Sequence, residues 1–171
     1  MGNRDLAIRT RSATAADGAG LIPLINAAFA IETFLEGTRT DEARLARMME
    51  TGTILVAEEA PEDGSGRLMG AIYSEIRAPE GRGRRGYLGM LAVDPAYQGR
   101  GLAAVLLRAA EDHFRGHGCE AIDITVLNMR PELPRIYRRY GFEVTGTEEF
   151  HPTQPLKVGV ECYSIVMSKQ L

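Results

Sequence analysis

Nowhere in the 171 residues does an apolar run approach the roughly 20 residues of a membrane span. The opening MGNRDLAIRTRSAT lacks the apolar centre of a signal peptide. Leu6 also stands where the lipidation pattern M-G-x-x-x-[ST] needs a hydroxyl. The expectation is a cytoplasmic protein with no membrane partner. Cysteine is scarce: Cys119 and Cys162 allow one bridge at most, and without an export signal both read as small buried hydrophobes. No excess of one charge exists either, since 20 Lys and Arg meet 23 Asp and Glu for a net charge of −3. That balance offers no global attraction to nucleic acid.

Several chemical signatures are missing as well. No Gly-Lys-Ser/Thr occurs, which excludes the phosphate-binding loop of P-loop NTPases. No H-E-x-x-H occurs. His113, His117 and Cys119 give H-x-x-x-H-x-C without a fourth ligand nearby, so no metal is expected. Neither cysteine has a visible nucleophile–base arrangement. With no repeat, low-complexity tract or long linker, residues 1–171 read as a single domain, large enough to bury a core without staples.

What is present alternates between two periods. Residues 6–11 alternate as a first strand. Thr14 and Asp17 then form a helix start for a face of Leu21, Leu24, Ile25, Ala28 and Phe29. A shorter helix runs from Thr40, with Leu45, Met48 and Met49. Residues 53–58 and 67–77 read as a hairpin joined by PEDGSG. The loop PEGRGRR, with Arg82, Arg84 and Arg85, reads as solvated. GYLGMLAV, residues 86–93, is apolar on both faces and so a central strand, with Gly89 marking a bulge or a close backbone approach. A helix over 101–116, a strand over 120–127, a short helix ending at Gly141 and strands near 142–147 and 159–167 complete the chain. The order β-α-α-β-β-β-α-β-α-β-β predicts an α/β (α+β) domain around one mixed sheet.

One stretch carries chemistry. Between the central strand and the long helix lies VDPAYQGRGLAAVL, with two glycines just before the helix. Glycine there lets backbone N–H groups converge on an anion at a helix N-terminus. Gly99-x-Gly101-x-x-Ala104, with Asp123 roughly 20 residues on, fits a dinucleotide fingerprint on paper. Five residues, Asp94 to Gln98, separate strand from first glycine, Asp123 falls inside a strand, and no run of βαβ units fits around the motif. A nicotinamide or flavin is therefore not expected.

Gln98-x-x-Gly101-x-Ala103 after that strand, followed downstream by Tyr137-Arg-Arg-Tyr140-Gly141-Phe142, resembles the GNAT superfamily of acetyl-CoA-dependent N-acetyltransferases over roughly residues 53–145. The resemblance implies that Gln98, Gly99, Arg100, Gly101, Leu102 and Ala103 hold the coenzyme A pyrophosphate. It also implies that the backbone of Leu91, Ala92 and Val93 receives the pantetheine arm. Tyr137 aligns with the family tyrosine that protonates the departing thiolate, with Tyr140 one turn on as packing. The family asparagine lies seven residues before this tyrosine; Asn128 stands nine before it, beside a variant RPELP, and is the candidate coenzyme A contact. Residues 86–93 hold no carboxylate where some members place their base, and Tyr87 lies near that position. Glu75 on the preceding strand is the substitute base.

The implied function is transfer of an acetyl group from acetyl-CoA to a primary amine by direct attack in a ternary complex. The acceptor, a small polar molecule or a protein, would meet residues 31–39, through Glu32, Phe34 and Arg39, and the loop from Phe150 to Lys157. An amine that also carries a carboxylate would suit Arg39. A non-catalytic acyl-CoA sensor is the rival reading, and a homodimer stays open.

Overall fold

A computed structural model describes residues 7–59, 66–152 and 154–171. Strand β1 (Ile8–Ser12) leads through a tight turn into helix α1 (Gly18–Ala28). Thr14 and Asp17 form the reciprocal cap expected of them, and the Thr14 amide donates to the Asp17 carboxylate at 2.7 Å. Helix α2 (Glu42–Thr51) starts at Asp41, whose carboxylate accepts from the Arg44 amide. Strands β2 (Thr53–Glu59), β3 (Leu68–Arg77) and β4 (Arg85–Val93) follow, then α3 (Leu102–Gly116), β5 (Ala121–Leu127), α4 (Leu133–Arg138), β6 (Glu143–Glu149) and β7 (Tyr163–Gln170). Most of the PEDGSG turn and Leu6, the first residue of the predicted β1, lie outside the described residues. The last strand begins at Tyr163, four residues later than its sequence pattern suggested, because residues 150–162 are drawn off into a loop.

One seven-stranded sheet runs in the order β1-β2-β3-β4-β5-β7-β6, antiparallel throughout except for the parallel pair β4–β5. Strand alternation divides its side chains between two cores. Ile54, Val56, Ala71, Met90 and Ala92 pack with Leu21, Leu24, Ile25 and Leu45 of α1 and α2. Leu55, Ala57, Ile72, Leu88 and Ile122 pack with Leu106, Leu107, Ala110 and Phe114 of α3. Phe114 is fully buried, and its ring lies flush on Gly86, where a Cβ would sit only 2.6 Å from ring carbons. Truncating such a phenylalanine costs about 3–5 kcal/mol.

Two features of β4 position the site. Opposite Ile72, the strand carries an extra residue: Tyr73 faces Gly89 and Ala71 faces Ala92, so Met90 and Leu91 share one partner. The bulge anticipated at Gly89 thus falls one residue later, and Met90 takes the left-handed φ of 50°. A bulge bends its strand. Consistent with that bend, β4 pairs with β5 only from Arg85–Ala121 to Leu88–Ile124. Beyond this rung β4 stays on β3 and β5 stays on β7, so Gly89–Val93 and Thr125–Leu127 diverge with no strand between them.

The arginine loop before β4 is less solvated than its composition suggested. Arg85 opens β4 and makes two bonds of 2.6 Å to Asp123, and Arg84 donates to the His117 carbonyl. Both cysteines are free thiols, Cys119 buried and Cys162 half-buried. No helix among the described residues is long and apolar enough to cross a membrane.

Candidate active site

The divergence of β4 and β5 opens into a cleft of about 770 Å³. At one end stands the glycine loop. Asp94 turns the chain by accepting from the Ala96 amide at 2.9 Å, and Gly99 and Gly101 adopt φ of 76° and 77°. That conformation strains any residue with a Cβ, which is why glycine recurs here. Gly101 is the N-cap of α3 and supplies no side-chain acceptor to its first-turn amides. A 15-residue helix therefore aims uncapped N–H groups and a partial positive charge of about half a unit at the cleft. Gln98, Gly99, Gly101, Leu102 and Ala103 line this end. Arg100 does not; it is exposed, with its guanidinium 5.3 Å from the Tyr97 ring centre.

Along the splay, Leu91 and Val93 line the cleft, whereas Ala92 points the other way and is fully buried against α1 and α2. The placement of Ala92 follows from strand alternation, so its side chain is unavailable to a ligand and only its backbone shares the channel. Tyr137 stands on α4 across from β4. Its ring meets Phe142 edge-on, with centroids 5.7 Å apart, and the Phe142 amide bonds the Tyr137 carbonyl at 3.2 Å. Burial pushes the Tyr137 phenol up to about 12, against the pull of the Arg130 charge. It is a held proton at any ordinary pH. Tyr87, where β4 and β5 part, bonds Thr125 at 3.0 Å, and both line the cleft.

Two sequence-based candidates stand elsewhere. Glu75 is outside the lining: Arg77 grips its carboxylate at 3.0 and 3.1 Å, Tyr73 donates to it at 3.1 Å, and Arg77 holds it below the usual carboxylate range. A carboxylate held by Arg77 and Tyr73 outside the lining is not brought to the cleft, where a proton would have to be taken. Asn128 is also outside the lining. Its Oδ1 accepts from the Tyr163 amide at 2.9 Å and its backbone N–H donates to the Tyr163 carbonyl, which ties the start of β7 to the end of β5. Asn128 is spent on the sheet.

The far end of the cleft is built by two long connections. Residues 31–39 and the loop before β7 are stitched together by an antiparallel bridge between Leu35 and Leu156. The Glu36 amide bonds the Pro155 carbonyl, the Lys157 amide bonds the Phe34 carbonyl, and the buried Gln154 side chain donates to the Glu36 carbonyl at 3.0 Å. Phe34 thus contributes backbone to this strap and does not line the cleft, unlike Glu32 and Arg39, which do. Glu32 accepts from Arg130 at 3.2 Å with only 8% of its side chain exposed. Burial raises the Glu32 pKa even though Arg39 and Arg130 pull it down. Arg39 lies over the Phe29 ring at 4.9 Å, and its Nε is buried without a hydrogen-bond partner among the described residues. Sequence reading missed Arg130, Glu148 and Glu149, all of which line this end. The two glutamates looked like the polar end of a strand, and Arg130 like part of a variable turn.

Comparison with known proteins places this geometry. Residues 24–142 match the Acetyltransferase (GNAT) family. A mycothiol acetyltransferase of Propionibacterium freudenreichii is 32% identical over 127 residues, covering 71% of this chain and 39% of that protein. Glucosamine 6-phosphate N-acetyltransferase 1 of Oryza sativa is 36% identical over 111 residues, covering 60% of this chain and 64% of that protein. The chain therefore spans well under two thirds of the first relative and just under two thirds of the second. Among solved structures, yncA from Salmonella typhimurium, with its cofactor acetyl-CoA, superposes with a TM-score of 0.70 at 25% identity, over 96% of this chain and 94% of that one. Fold, glycine loop and family match agree, and the chain belongs to the GNAT acetyltransferase family.

Proposed function

We propose that the chain is an N-acetyltransferase that takes its acetyl group from acetyl-CoA and delivers it to a primary amine in a ternary complex. The observation that carries this reading is the splay of β4 from β5 beside the uncapped start of α3. An extended arm can enter that gap as an added strand while its diphosphate rests on the helix N-terminus. Open space around the Cα of Gly99 and Gly101 fits the close approach of such an anion.

Bound there, acetyl-CoA would supply an activated thioester and a thiolate leaving group. Gln98, Gly99, Gly101, Leu102 and Ala103 hold the diphosphate end, with Arg100 adding charge from outside. The backbone of Leu91, Ala92 and Val93 orients the arm along β4, and an N–H near Leu91 is placed to bond the carbonyl oxygen as it gains charge. Tyr137 keeps its proton at neutral pH, the state needed to protonate a departing thiolate. The amine enters from the opposite end, past Glu32 and Arg39, and meets the thioester beside Tyr137 in its neutral form. The C–N bond forms as the C–S bond breaks, Tyr137 gives its proton to the sulfur, and the proton shed by the nitrogen passes to solvent, from which Tyr137 is reprotonated.

Release of thiol from acetyl-CoA in the presence of a panel of primary amines tests the assignment. Amine-dependent release with a matching acetylated product is expected. Tight binding of acetyl-CoA without turnover of any amine would favour the sensor reading instead.

A further inference from the structure

We propose that the acceptor is a small zwitterion: an amine that carries an oxyanion, which docks with its oxyanion on Arg39 and its amino group toward Glu32 and reacts as the neutral amine. The inference rests on the acetyltransferase reading above and narrows its acceptor.

Size comes first. A cleft of about 770 Å³ lies in the range of small-ligand sites, and the cofactor arm takes a share of it. The strap of residues 31–39 is bonded by backbone to residues 155–157 and by Glu32 to Arg130, so the far end is walled on three sides by the strap, the β5–α4 turn and the loop before β7. Leu35 and Gln154 are buried within that wall, at 8% and 4% exposure. Those contacts frame a space of small-molecule size.

Charge comes second. Glu32 feels the Arg39 charge, yet its ion pair is made with Arg130, and Arg130 also holds Glu132 at 2.6 Å. Arg39 is left with a ring contact and a buried Nε that has no partner among the described residues. The rest of its guanidinium lines the cleft without an ion pair among the described residues, so an oxyanion entering there would meet an unpaired positive charge. The strap cannot swing Arg39 away easily, because Asn26 clamps the next residue, accepting from the Thr40 amide at 2.8 Å and donating to its carbonyl at 3.1 Å. Glu148 and Glu149 line the β6 side and repel an oxyanion there, which leaves the Arg39 wall for it. An adjacent anion and cation, both facing one small space, complement a ligand with the reverse arrangement.

The test measures kcat/KM for thiol release with matched pairs: β-alanine against β-alaninamide, and O-phosphoethanolamine against ethanolamine, with an N-terminally free hexapeptide as the polypeptide arm. At least one anionic member is expected to exceed its neutral match tenfold or more, and the pair that does so tells carboxylate from phosphate. Arg39→Gln should reduce that ratio to about twofold, with Arg39→Lys retaining part of it and the acetyl-CoA dissociation constant unchanged in both. Equal rates within each pair, or a hexapeptide faster than every small amine, would overturn the proposal while leaving the acetyltransferase reading intact. Failure of the unmodified protein to bind acetyl-CoA would overturn both.

Discussion

Glu32 and Arg130 meet at 3.2 Å across 98 residues of chain, joining the strap after α1 to the turn between β5 and α4. Both side chains are largely buried, at 8% and 18% exposure, so the pair is screened far less than a surface bridge. Removing Arg130 leaves the buried Glu32 carboxylate without its ion pair, and removing Glu32 leaves Arg130 with Glu132 alone. Glu32→Gln and Arg130→Gln are each expected to lower stability by about 1–3 kcal/mol. The double variant should lose less than the sum of the two, as urea denaturation of the four proteins will measure.

Tyr137 gives the sharpest catalytic expectation. Tyr137→Phe keeps the ring against Phe142 and removes only the hydroxyl, so folding and acetyl-CoA affinity should change little. Turnover should drop by roughly 10²–10⁴, the usual worth of a positioned acid. Because burial lifts this phenol to about 12, loss of its proton should not limit the rate anywhere between pH 7 and 10. A pH–rate profile with a basic limb near 10 that Tyr137→Phe abolishes would contradict the raised phenol while keeping its role as acid; turnover undiminished in Tyr137→Phe would contradict the role itself.

Gly101 separates conformational strain from crowding. Its φ is 77°, and an added Cβ would meet nothing within 4 Å. Gly101→Ala therefore costs only the left-handed backbone, about 1–2 kcal/mol. The relaxed variant would also turn its first helical amides from the cleft, so weaker acetyl-CoA binding should accompany a modest fall in thermal midpoint. Gly86→Ala has the opposite cause, since its Cβ would strike the Phe114 ring, and should cost more stability.

The strand β1 end is held by charge. Glu58, with 3% of its side chain exposed, is bonded by Arg11 at 2.8 Å and by Arg9, and Arg11 also grips Asp17 at 2.8 and 2.9 Å. Hydrogen bonds from Arg11 depress both carboxyls, Glu58 below its ordinary 4.5 and Asp17 from 3.8 to about 2. A depressed folded pKa gives stability that is present above the unfolded pKa and lost as pH falls through the folded one. Unfolding free energy should thus decline between about pH 5 and 2, and Glu58→Gln should flatten that decline while lowering stability at pH 7. Chemical denaturation at stepped pH reads both.

Much of the fold was legible because its signals are local. The apolar run of β2, alternation in β5, the Thr14–Asp17 cap and the glycines before α3 each act within a few residues. What escaped depends on partners far along the chain. The bulge sits at Met90 and not Gly89 because register is set by Ile72 on the neighbouring strand, which no property of GYLGMLAV reports. Glu75 looked available from its position alone; Arg77 two residues on and Tyr73 two residues before occupy it once the strand is formed. Arg130 joined the site only through Glu32, and Asn128 left it only through Tyr163.

The proposed seat of acetyl-CoA is the gap between β4 and β5, headed by the Gln98–Ala103 loop. Calorimetric titration of the purified protein with acetyl-CoA, with NADH as the control ligand, addresses it directly. A dissociation constant in the micromolar range, about −8 kcal/mol, is expected for acetyl-CoA and no heat with NADH. Binding of NADH alone, or of neither ligand, would contradict it.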